Sequence, residues 1–195
     1  MRSLFLLFVV LLPCCLPPRT ASAQTTAIAT AQQTGTELQQ AMAGAWTGVL
    51  EYRDYSEPDT STKRVKLPTW LSVGSSDNKL TFHYIYDDGP NKVVDETITL
   101  SFDVAGSTLQ ITNDKGRVET YKVDGYNGLR NGRGDITLLG PTIDNNRPAE
   151  CRIVIGVRRN LLTWVEEVRP TSLIPFAFRH SYTFTRSQTP QVITH

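Results

Sequence analysis

GAWTGVLEYRDY, residues 44–55, is the stretch whose reading decides the fold. Trp46, Gly48, Leu50 and Tyr52 fall on one face of an extended chain, and Thr47, Glu51 and Arg53 on the other. A period of two is the mark of a strand with one buried side. The question is what that side is buried against.

The same period continues downstream. Strands are predicted at 45–55, 63–73, 79–87, 92–102, 107–113, 117–125, 134–140, 150–158, 161–169 and 176–186. Asp87-Asp88-Gly89-Pro90, Ala105-Gly106-Ser107 and Asp114-Lys115-Gly116 are tight-turn sequences between them. Arg158-Arg159-Asn160 is a weaker one. Short strands at hairpin spacing leave two architectures, a sandwich or an up-and-down barrel. The predicted fold is all-β: one antiparallel barrel of about ten strands, residues 37–187, with a short N-terminal helix. Thr36, with Gln39 three residues on, reads as that helix's cap, and Gly44 as its end.

Working outward, residues 24–36, QTTAIATAQQTGT, read as a disordered leader and 188–195 as a flexible tail. Residues 1–23 read as a signal peptide: Arg2, an apolar run over Leu4–Leu12, and Ala21-Ser22-Ala23 as the cleavage pattern. The run is too short for a membrane span. The expected location is therefore periplasmic or secreted. Lipidation at Cys14 or Cys15 is the alternative, and would anchor the chain to a membrane. Cleavage would leave Cys151 alone, so no disulfide could form within the mature chain. The formal net charge is +1, and loss of Arg2 and Arg19 brings it to about −1. That balance argues against nucleic acid as a partner.

A short helix, then Gly44-Ala45-Trp46, then a run of strands, resembles the calycin or lipocalin-like barrels. The resemblance implies that Trp46 sits at the closed end, with Arg186 of the last strand across its indole, as structural residues. Ten strands sit closer to fatty-acid-binding and nitrobindin-like barrels than to eight-stranded lipocalins. WTGVLEYRDY, followed by KLPTWLSV, resembles secreted bacterial proteins of unassigned activity that carry a lipocalin-like domain.

Alternation also assigns the inward side chains. Leu80, Phe82, Tyr84 and Tyr86 share a face, as do Leu162, Trp164, Glu166 and Val168. In the last strand Phe176, Phe178, His180, Tyr182, Phe184 and Arg186 do, which sets Arg179 outside. Glu166, His180 and Tyr182 are the inward polar group, with facing residues on adjacent strands about 5 Å apart. Tyr52, Tyr84 and Trp164 complete the candidate ligand-binding set. The plain alternative for each is packing or an internal hydrogen bond. Cys151 reads as a buried small hydrophobe, and His83 as outward. Asp87, Asp88, Asp95 and Glu96 read as a solvated turn. No metal-ligand spacing is present, and no metal or cofactor is expected.

The expectation is a binding protein rather than an enzyme, holding a small, mostly apolar molecule. Three alternatives stay open: acid–base catalysis by the same His, Tyr and Glu; haem binding through His180, which the nitrobindin likeness would imply; and a structural or interaction domain with a filled core.

Overall fold

A computed structural model describes residues 21–58, 61–90 and 92–187. The N-terminal apolar run and the tail at 188–195 lie outside the described residues. Helix α1 covers Ala21–Met42. The strands are β1 (Gly44–Arg53), β2 (Arg64–Ser76), β3 (Lys79–Asp87), β4 (Val93–Asp103), β5 (Thr108–Asn113), β6 (Val118–Asp124), β7 (Gly134–Asp144), β8 (Arg147–Val157), β9 (Leu161–Arg169) and β10 (Ala177–Arg186). Each pairs antiparallel with its chain neighbours, and β10 returns to β1, closing the barrel. The up-and-down barrel, rather than the sandwich, is the fold.

The largest departures from the sequence reading are at the helix and at one hairpin. The helix is longer than predicted, and residues 24–36 are helical rather than a disordered leader. Thr36 is not its cap: its hydroxyl donates to the Gln32 carbonyl at 3.0 Å, and Thr30 and Thr34 do the same one turn back. Alanine and glutamine favour the helix, and the threonines satisfy themselves on the preceding turn. The far end supplies the anchor, because Leu38, Ala41 and Met42 are buried. The β7–β8 hairpin is also longer than predicted. Asn145 and Asn146 both adopt positive φ, 48° and 60°, making a two-residue turn that extends both strands.

The helix closes one end of the barrel. Gly44, at φ +119°, turns the chain from α1 into β1. The last carbonyls of a helix need outside partners. Here the Trp46 indole N–H donates to the Met42 carbonyl at 2.9 Å. The Arg186 guanidinium donates to the carbonyls of Ala41 at 2.6 Å and Ala43 at 2.8 Å. Its carbon lies 4.1 Å from the centre of the Trp46 ring. The hairpin after β2 holds the helix from the side: Gln39 donates to Asn78 and accepts from Ser75, both at 3.0 Å. Gly132 packs so tightly that a side chain there would meet the Glu37 carbonyl oxygen at 2.0 Å. Above this plug, Leu80, Phe82, Leu100, Leu138, Ile155 and Phe184 fill the lower barrel.

The wall has one weak seam. β6 and β7 pair only at Lys122–Asp124 against Thr137–Leu139. Val118–Tyr121 and Gly140–Asp144 run on without pairing to each other, and Pro141, lacking an N–H, stands just past the break.

Candidate functional site

The open end is built from the upper halves of the same strands. β3 and β10 bring three aromatic rings together, with Tyr84 and Tyr182 5.1 Å apart and Tyr182 and Phe184 5.6 Å apart. The Tyr182 and Tyr86 hydroxyls share a hydrogen bond at 3.0 Å. Tyr86 also donates to Glu96 on β4 at 2.9 Å. His180 pairs directly across from Glu166, and its Nε2 lies 3.5 Å from a Glu166 oxygen.

β10 does not alternate throughout. Phe178 pairs with Glu167 and His180 with Glu166, so Arg179 is an extra residue, a β-bulge. The bulge corrects the sequence assignment in two ways. Arg179 lines the interior rather than facing out, and its guanidinium lies 3.2 Å from Glu166 and 3.9 Å from Asp144. Phe178 and Phe176 turn outward instead. Arg64 covers Phe178 at 4.6 Å, and Arg152 and Arg169 sandwich Phe176 at 4.4 and 4.2 Å.

These residues surround a cavity of about 290 Å³. Tyr84, Ile98, Ile111, Ile153 and Trp164 form its apolar walls. Glu96, Glu119, Glu166, Arg117, Arg179 and His180 form its polar ones. Glu119 is fully engaged: Arg117 lies at 2.6 Å, Tyr121 donates at 2.8 Å and Thr142 at 3.1 Å. An outer chamber of about 400 Å³ shares Glu96, Arg179, His180 and Tyr182 and adds Tyr52, Tyr55 and Asp144. Burial holds the His180 imidazole below its ordinary pKa, and outweighs the Glu166 carboxylate that pulls the other way. Burial raises the phenols of Tyr84 and Tyr182. One buried donor in the wall has no acceptor among the described residues, the Trp164 indole N–H.

Of the residues singled out from sequence, Tyr84, Trp164, Glu166, His180 and Tyr182 line the inner cavity, and Tyr52 lies at its mouth. Trp46 and Arg186 lie at the opposite end. Cys151 is fully buried, and His83 is outside, 2.7 Å from Asp95. Glu96, Arg117, Glu119 and Arg179 were not selected. Alternation could have found three of them, since Glu96 shares a face with Ile98, Leu100 and Phe102, and Arg117 and Glu119 with Tyr121 and Val123. Among the described residues no group of three His, Cys, Asp or Glu side chains could hold a metal ion. No helix among them is long and apolar enough to cross a membrane.

No family model matches the sequence, and no curated protein does. The barrel does match solved structures. One is Rv2717c from M. tuberculosis, with a TM-score of 0.54 and 12% identity over 79% of this chain and 98% of that one. Another is the S-type phycobiliprotein lyase CPES from Guillardia theta, with a TM-score of 0.54 and 9% identity over 82% and 98%. At such identities the likeness establishes the fold alone, a closed antiparallel β-barrel.

Proposed function

We propose that this chain is a small-molecule-binding barrel. Its ligand lies in the open half, with an apolar body against Ile98, Ile111, Ile153 and Trp164 and a polar end among Glu96, Glu166, Arg179 and His180. The observation that carries the reading is the cavity itself. The lower barrel is filled by fully buried side chains, while the upper half keeps about 290 Å³ of space walled by both apolar and charged groups. Ligand sites are concave, mostly apolar and furnished with a few convergent polar groups. A solved structure of the same fold, the phycobiliprotein lyase, is compatible with a barrel that handles a small molecule. The residues do not suit haem. The space is at the small end of ligand pockets, about 300–1,000 Å³, and His180 Nε2 faces a carboxylate. We read residues 1–23 as a secretion signal, which N-terminal sequencing of the exported protein tests.

The binding reading is tested with Nile red, a neutral apolar dye that brightens on leaving water. Saturable brightening at one dye per chain is expected, and Ile153→Phe, which adds bulk to the cavity wall, should weaken it. Brightening that does not saturate, or that Ile153→Phe leaves unchanged, would overturn the reading.

A further inference from the structure

We infer that the polar end of the ligand is a cation, a protonated amine seated on Glu96. The inference rests on the binding reading above and names its ligand class.

The first argument is an inventory of charge. Across the cavity and its outer chamber, four carboxylates (Glu96, Glu119, Glu166 and Asp144) face two guanidinium groups, Arg117 and Arg179. His180 adds no compensating charge near neutral pH, because burial favours its neutral form. A cleft lined by surplus negative charge focuses its field on the space inside and favours a positive ligand.

The second argument is which groups are already engaged. Arg117 is held by Glu119, and Arg179 by Glu166 and, at longer range, Asp144. Neither guanidinium is left over for an anionic ligand. Among the carboxylates, Glu96 is the one held by no cation among the described residues. Its contact is a single accepted hydrogen bond, from the Tyr86 hydroxyl to Oε2. That bond fixes the carboxylate and leaves Oε1 available.

The third argument is what surrounds that oxygen. Tyr84, Tyr182 and Trp164 line the same space as Glu96. A carboxylate beside aromatic rings suits an ammonium group, which gains from the ring faces as well as from the charge.

Three compounds with one indole ring and different ends separate the possibilities: tryptamine, a cation; tryptophol, neutral; and indole-3-acetate, an anion. Each competes against Nile red at neutral pH and low salt. Tryptamine should displace the dye at least tenfold more strongly than tryptophol, and indole-3-acetate most weakly. Glu96→Gln, which keeps an acceptor for Tyr86, should erase the advantage of tryptamine and leave tryptophol unchanged. The wild-type series decides the inference even if that variant does not fold. An equal or reversed order overturns it, as does a preference that survives Glu96→Gln. If Nile red binds and none of the indoles competes, the cation is wrong and the binding barrel stands. If Nile red does not bind either, both readings fall.

Discussion

The two ends of this barrel share ten strands and differ in how they treat polar groups. At the closed end each named donor meets a fixed partner: Trp46 and Arg186 both reach the final carbonyls of α1. At the open end charged side chains face one another across space, and Glu96 keeps a free oxygen. One end uses polar atoms to finish a core. The other presents them to an interior. The same strand can do both, as β10 does with Arg186 at one end and Arg179 and His180 at the other.

The comparison is broken most severely at the plug. Trp46→Ala removes a buried indole, its hydrogen bond and the surface under Arg186, and should cost about 3–5 kcal/mol in urea unfolding. Next is Arg186→Met, which keeps bulk but loses both carbonyl contacts and the cation over the ring. It should cost about 2 kcal/mol by the same measurement. If either change left stability intact, the closed end would not be the structural half.

The open end should respond to pH instead. His180 has a folded pKa below its unfolded value of about 6.5, so below that pH the unfolded chain binds more protons than the folded one. Stability should be flat above about pH 6.5 and decline as pH falls from there towards the folded pKa. The slope for one proton cannot exceed about 1.4 kcal/mol per pH unit. Glu166, Arg179 and Glu96 are the charges that face the ring, and they modulate this slope without reversing its sign. Urea midpoints from pH 5 to 8 for the wild type and His180→Phe test it, and the variant should lose that part of the slope. The smallest effect is expected for Arg117→Gln. Its pair with Glu119 is half exposed on the arginine side, so stability should change by less than about 1 kcal/mol in thermal unfolding.

Most of the wall was legible because alternation is dictated by burial. β3 and β9 begin and end where the pattern says, and Tyr84, Trp164 and Glu166 point inward as read. The bulge at Arg179 was not legible. An inserted residue changes the phase of one strand relative to its partner, and only the pairing of Phe178 and His180 with β9 reveals it. The long helix was missed because residues 24–30 bury nothing. Its anchor, Leu38 to Met42, lies in the second half, and no amphipathic pattern extends back from it. Glu96 was passed over because it follows Asp95 and looked like part of an acidic turn. In the barrel the two point to opposite sides, Asp95 to His83 outside and Glu96 to Tyr86 inside.

The unpaired seam between β6 and β7 gives the barrel one side without a continuous backbone ladder. Elsewhere, spreading two strands means breaking a ladder of backbone hydrogen bonds. Between Val118–Tyr121 and Gly140–Asp144 there is no ladder to break. Tyr121 lies along this slit, touching the inner cavity on one side and an outer groove with Leu139, Pro141 and Pro148 on the other. Thr142 on β7 donates to Glu119 on β6 across this slit, so the wall is joined there by a side-chain hydrogen bond instead of a ladder.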